Sequence, residues 1–256
     1  MRAGSPESPL NSLPAVLWML ALPIIATEAY FGLGRLGFLA GGSNAGRAAR
    51  QILVEQTAFA PEFLLRAWDR GSVAGAELHR LVSYPFVHYS ATHALFVLVF
   101  LLALGNMAAR SMRPWAVVVL FAASAIGGAA VYSLAAGLLP QLRFDPLVGG
   151  YTPVYGLLGA FTFLLWTRLG QENANQMRAF TLIGMLLLFQ LVFGVVFGSS
   201  GKNWIAEIAG FGIGFTLSFV LVPGGFSRVR RRGRRAAPRG RRSAPSGCWS
   251  WAFLRR

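Results

Sequence analysis

Long runs without Asp, Glu, Lys or Arg dominate the chain. Six of them reach at least twenty residues: 8–27, 81–109, 114–142, 146–167, 179–201 and 208–227. About 20 apolar residues cross a bilayer as a helix. Helices are required because lipid offers the backbone no hydrogen-bond partners. The pattern therefore predicts an all-α integral membrane protein with six transmembrane helices, near 12–34, 86–108, 114–138, 150–168, 178–199 and 203–222. The first and sixth carry one carboxylate each, Glu28 and Glu207.

Composition agrees with that class. Of 256 residues, 55% are hydrophobic and 13% charged, against about 25% charged in soluble domains. The net charge of +15 comes largely from the end of the chain. Residues 227–256 hold eleven Arg and no acid, and the rest carries thirteen basic against nine acidic residues. The chain thus divides into a membrane domain, 1–226, and an Arg-, Pro-, Gly- and Ser-rich tail, 227–256, expected to be disordered. The single Cys248 excludes an internal disulfide framework and a Cys-based metal cluster. The apolar stretch 14–27 resembles a signal-peptide core, but Glu7 and the continuing apolar sequence argue against cleavage.

Basic residues near helix ends set the orientation. With the N-terminus inside, Arg110, Arg113, Arg168, Arg178 and the tail are cytoplasmic, and Arg143 and Lys202 lie in the opposite loops. Six Arg in the first loop, 35–85, count against this, but the tail and short loops outweigh them, so both termini are read as cytoplasmic. Within that loop, Gln51-Ile52-Leu53-Val54 and Phe63-Leu64-Leu65 with Trp68 alternate with Arg47, Arg50, Glu55, Glu62, Arg66 and Asp69. Such amphipathic pieces suit the membrane interface. The Arg-rich tail fits attraction to anionic lipid, and no folded nucleic-acid-binding motif accompanies it.

Ionisable groups inside spans mark interiors and wet cavities. His88 and His93 are five residues apart. On one continuous helix they would sit about 140° apart and face different ways. Tyr151 and Tyr155 share a face at the start of the fourth span, and Glu207 lies one turn into the sixth. All of these come out near the outer surface, which allows one outward-facing polar pocket. Gly156, Gly159 and the Gly210-x-x-x-Gly214 pair would let helix backbones approach closely. A metal site of His79, His88, His93 and Glu207 is an alternative to histidines that satisfy buried hydrogen bonds. Glu28 would pair with Arg35 or serve an interior contact.

Three fragments resemble the rhomboid intramembrane serine proteases. Arg80-Leu-Val-Ser-Tyr-Pro-Phe-Val-His88-Tyr-Ser-Ala-Thr-His93 is similar to the run joining the first loop to the second helix. Val154-Tyr155-Gly156-Leu157-Leu158-Gly159-Ala160 resembles the stretch just after the catalytic serine. Ala206-Glu207-Ile208-Ala209-Gly210-Phe211-Gly212-Ile213-Gly214 resembles the segment around the catalytic histidine. The resemblance covers roughly residues 10–222. It implies a six-helix rhomboid-like bundle with an amphipathic first loop, an outward-open pocket and a capacity to bind transmembrane segments of client proteins. It implies no cofactor and no resident metal.

The departures fall on the chemistry. In register with Gly-x-Ser-Gly, the chain reads Gly149-Gly150-Tyr151-Thr152, so Tyr151 stands at the serine and Thr152 at the following glycine. Glu207 stands at the histidine. His93 matches the second-helix histidine near the oxyanion, but its asparagine neighbour is Val97, which donates no hydrogen bond. Arg80 remains of a Trp-Arg pair whose tryptophan is His79, His88 matches the earlier histidine, and Tyr155 fits the tyrosine that packs on the catalytic histidine. Acyl transfer needs a nucleophile, a base and oxyanion donors. A phenol with a reference pKa of about 10 is a poor nucleophile at neutral pH, and desolvation favours the neutral form of a carboxyl. The expectation is an inactive, rhomboid-like pseudoprotease that binds transmembrane clients. Two alternatives remain: an active protease with atypical catalytic residues, and a small transporter using Glu207, although the internal repeats expected of transporters are absent. A literal Gly198-Ser199-Ser200-Gly201 also occurs, with no histidine after it, and is read as chance.

Overall fold

A computed structural model describes residues 13–38, 42–72, 77–187 and 202–223. The described chain is helical. It contains α1 (Ala15–Arg35), α2 (Ala45–Thr57), α3 (Pro61–Asp69), the one-turn α4 (Arg80–Ser83), α5 (Ala91–Ala109), α6 (Pro114–Leu138), α7 (Tyr151–Gln171), α8 (Gln176–Leu187) and α9 (Trp204–Leu221). The tail 227–256 and much of the expected fifth span, 178–199, lie outside the described residues.

Four helices, α1, α5, α6 and α9, are long and apolar enough to cross a membrane. The chain is an all-α, multi-pass integral membrane protein. α7 is equally long, with 21 residues, but carries Tyr151, Tyr155, three threonines and Arg168. Its position explains the composition. α7 packs against α5, α6 and α9, and both its apolar and polar residues from Thr152 to Ala160 are buried. A helix surrounded by protein can carry polar groups that a lipid-facing helix cannot.

Glycines set the closest approaches. A Cβ on Gly214 would collide with the Gly156 backbone, and one on Gly159 with the Phe211 and Phe215 backbone. Gly210 presses in the same way on the Thr152 carbonyl. Thr152 faces Gly210 and Gly156 faces Gly214, so α7 and α9 run parallel with their first turns at one end. Gly128 of α6 meets both Thr152 and Ala206, while Ser124 meets Gly156, so α6 runs antiparallel between them. Below the polar end, Phe163, Trp166, Phe215 and Phe219 form a ring cluster with centroids 4.6–6.4 Å apart.

The second span begins later than its apolar run. Pro85 sits in a 3-10 turn, Tyr84–Phe86, and Val87 is extended. α5 starts only at Ala91, where the Ser90 hydroxyl accepts a hydrogen bond from the His93 N–H at 3.1 Å. Proline lacks a donor and disfavours helix before it, and serine is a favoured N-cap. These local rules override the hydropathy boundary.

Candidate functional site

The site is framed from outside the spans. Phe59 and Leu147 exchange both backbone hydrogen bonds, at 3.1 and 2.7 Å. A few residues further on, the Glu62 N–H donates to the Arg143 carbonyl at 3.1 Å. The Glu62 side chain accepts from Arg143 and from Arg66, and Asp69 lies 3.7 Å from Arg143. The hydrogen bond and charge of Arg143 hold the Glu62 carboxyl below its ordinary range, against the opposing effect of burial. This clip ties the first loop to the segment leading into α7. Arg80 ties the same loop together from the other side. It pairs with Glu77, donates to the Glu55 and Ala58 carbonyls at 2.7 and 2.9 Å and covers the Phe63 ring.

Next along the chain is the Gly149-Gly150 turn. The Gly149 N–H donates to the Tyr84 carbonyl at 2.9 Å. Gly149 has φ +95°, a conformation that side chains rarely adopt, and a Cβ there would sit 2.7 Å from the His93 ring. The Gly150 N–H donates to His88 Nε2 at 3.2 Å. His88 is fully buried. Because Nε2 accepts, the proton of the neutral ring belongs on Nδ1, which has no partner among the described residues. Val97 lays a methyl against Gly150, where a hydrogen-bond donor would have faced the turn.

His88 and His93 meet after all. Their rings stand edge to face with centroids 5.0 Å apart. The 140° separation assumed one helix through both residues, but His88 belongs to the extended approach and only His93 to α5. Tyr151 then stacks on His93 at 4.9 Å and 19°. His93 Nε2 is a second buried ring nitrogen with no partner among the described residues.

α7 and α9 supply the floor. Tyr151 opens α7 and is partly exposed, whereas Thr152, Tyr155 and Gly156 are buried. Glu207 is in the first turn of α9, 4% exposed. The turn around it is fixed by Ala206 and Gly210 against Thr152 and Gly128. Its carboxyl is within electrostatic range of Tyr84, Tyr151 and Tyr155. The structure therefore gathers Gly149, Gly150, Tyr151, Thr152, Tyr155, His88, His93, Val97 and Glu207 at one end of α5, α7 and α9. Gly159 and Gly214 lie one to two turns deeper.

Some expectations change. Glu28 pairs with Arg50, not Arg35: the guanidinium donates to both carboxylate oxygens at 2.7 and 2.8 Å, to the His88 carbonyl at 2.7 Å, and covers the Phe31 ring. His79 is drawn away to the Gln56 carbonyl at 3.3 Å. Among the described residues, no three His, Cys, Asp or Glu side chains gather to hold a metal ion. Ser199 and Ser200 lie outside the described residues. Sequence reading missed Tyr84, a fully buried phenol that donates to the Ala125 carbonyl at 3.0 Å and is hydrogen-bonded to Thr152. Its only sequence signal is its place just before Pro85 in the apolar approach to α5.

A multi-pass helical membrane protein with a polar cluster of histidine, tyrosine and glutamate at one end of its central helices is the class these observations define. The family model for the rhomboid domain matches residues 75–224, more than half of the chain, and the protein belongs to the rhomboid family. Among curated proteins it is similar to the RHOMBOID-like protein 4 of Arabidopsis thaliana, at 29% identity over 153 residues. That match takes in 59% of this chain but only 36% of the plant protein, so the chain spans about a third of that relative.

Proposed function

We propose that this protein is a rhomboid scaffold without peptidase activity that binds transmembrane segments of client membrane proteins, in quality control or trafficking. The observation that carries the reading is the content of the site. Tyr151, stacked on His93, stands where the family places its nucleophile, and the buried Glu207 stands where it places the base. A phenol with an ordinary pKa of about 10 is un-ionised near neutral pH, and like a serine hydroxyl it needs an adjacent base to make it a nucleophile. No imidazole comes from α9 to take its proton. Val97 adds a methyl where an oxyanion would require a donor. Each loss lowers the rate by orders of magnitude, and such losses act on one catalytic unit.

What survives is the scaffold. The glycine-mediated packing of α7 on α9, the Gly149-Gly150 turn and the His88 contact are all retained. In this reading the bundle has six spans, the site opens outward and both termini are cytoplasmic. The Arg-rich tail rests on anionic lipid, consistent with attraction of juxtamembrane basic segments. Twenty-three Arg against one Lys fits a bacterial inner membrane protein.

The test is a cleavage assay with purified protein and a model transmembrane substrate in proteoliposomes, run beside a binding assay on the same substrate. Binding without cleavage is the expected result. Cleavage that disappears in Tyr151→Phe or Glu207→Gln would establish an atypical active protease instead.

A further inference from the structure

The six arginines of the first loop fall into two groups. Three are paired within the protein: Arg50 with Glu28, Arg66 with Glu62 and Arg80 with Glu77. Arg35, Arg47 and Arg70 are exposed and have no acidic partner among the described residues. Arg70 stands apart, at the end of α3, which packs on α6. The other two come together at the corner between α1 and α2.

Gly46 makes that corner. A Cβ there would sit 2.2 Å from the Phe31 carbonyl oxygen, 2.8 Å from the Arg35 nitrogen and 3.1 Å from Arg35 Cγ. The two backbones therefore touch where Arg35 ends α1 and Arg47 follows Gly46. α2 then runs back along the last two turns of α1, since Arg50 reaches Glu28 and covers the Phe31 ring. Both free guanidiniums start from neighbouring backbone and stay exposed. The nearest carboxylates are already engaged. Glu28 is taken by Arg50, and Glu55 lies two turns along α2, where it accepts from Gln51. Arg47 also stands in the first turn of α2, which has no acidic residue and where the helix dipole disfavours a cation.

Depth identifies the partner. α1 is long and apolar enough to cross a membrane, and Arg35 is in its last turn. The corner thus lies where a spanning helix leaves the hydrocarbon and meets the headgroups. Tyr30, Leu36 and Phe38 are exposed beside it, as aromatic and apolar side chains are at a membrane interface. The guanidinium fork matches phosphate oxygens in a bidentate way and is weakly hydrated. A choline or ethanolamine headgroup brings its own cation, which the second guanidinium would repel. A glycerol headgroup brings none.

We propose that Arg35 and Arg47 at the α1–α2 corner form a binding site for the phosphate of an anionic phospholipid of the phosphatidylglycerol type. The site is separate from the Arg-rich tail, and it does not depend on the client-binding reading.

The experiment uses the full chain in phosphatidylcholine nanodiscs with a small fraction of phosphatidylglycerol carrying a photoreactive diazirine near its headgroup. Adducts are mapped by peptide mass spectrometry. They should fall on residues 30–50 and be removed by excess unlabelled phosphatidylglycerol, but not by the surrounding phosphatidylcholine or by inorganic phosphate. Arg35→Gln and Arg47→Gln should each lower labelling of that segment about fivefold, the weight of one basic residue near an anionic surface. Arg70→Gln, an equal charge change in the same loop, should leave it as it is. Adducts absent from residues 30–50, confined to the tail or spread evenly around the protein would overturn the site. Equal labelling by a diazirine-bearing phosphatidylcholine would show that the corner does not select charge, and would overturn it too. Competition by inorganic phosphate would make this a site for a free anion, and the lipid assignment would be wrong. The wild-type map and its competitions decide the matter even if an arginine variant does not fold.

Discussion

Gly149 shows how much one residue can decide. Its φ of +95° admits no side chain without strain, and a Cβ would press on the His93 ring. Backbone strain of this kind costs about 1–3 kcal/mol, and the crowding adds to it. Gly149→Ala should therefore lower the thermal midpoint in detergent by several degrees and displace the His93–Tyr151 stack. An unchanged midpoint would mean that the turn is less constrained than described. Glu28 makes a second case. Its bidentate partner Arg50 is largely buried and also supports the His88 carbonyl. Removing one member of a buried pair leaves the other charge uncompensated, at about 3–5 kcal/mol. Glu28→Gln should destabilise by the lower end of that range, since both side chains keep 14% exposure, and Arg50→Ala, Glu28→Ala together should cost less than the singles suggest. A double-mutant cycle in chemical denaturation checks it. At this scale the sequence disclosed residue types but not partners. Nothing in one dimension ties Glu28 to Arg50, and a hydropathy run hides the break before α5 that turns His88 toward His93.

At the scale of elements, the α7–α9 seam gives a paired prediction. Gly214 abuts the Gly156 backbone, whereas a Cβ on Gly212 would meet nothing within 4 Å among the described residues. Alanine improves helix propensity by about 1 kcal/mol at either place. At Gly212 that gain should appear as a small rise in stability. At Gly214 overpacking of about 1–3 kcal/mol or more should outweigh it. The same melting experiment on both variants settles the sign of each. The clip between α3 and the segment before α7 responds to acid instead. Arg143 lowers the Glu62 carboxyl below its ordinary 4.5. A carboxyl lowered by folding contributes stability that is fully present above the unfolded value and is lost as pH falls through the folded value. Stability should thus decline below pH 4.5, and Glu62→Gln should flatten that acid limb. A stability–pH curve of identical shape in both proteins would contradict the clip. Glycine spacing and apolar length made most of these elements legible in sequence. α7 fell short in hydropathy because it is enclosed by protein, and that enclosure is a tertiary fact.

At the scale of the whole molecule, membership in the rhomboid family and the proposed loss of its chemistry come from the same registration. The matched region runs from the first loop through α9, and its packing glycines stand at backbone contacts. The positions that the resemblance assigns to acyl transfer hold Tyr151 and Glu207. The helical rhomboid fold was readable because three fragments share one spacing, while the stack of His88, His93 and Tyr151 required the backbone path. The central claim is that this site holds no activated nucleophile, and a serine-reactive fluorophosphonate applied to the detergent-solubilised, folded full chain measures that directly. We predict no covalent labelling at concentrations that label an active serine protease. Stoichiometric labelling that maps to Tyr151, or to any serine, and disappears on its replacement would contradict the account.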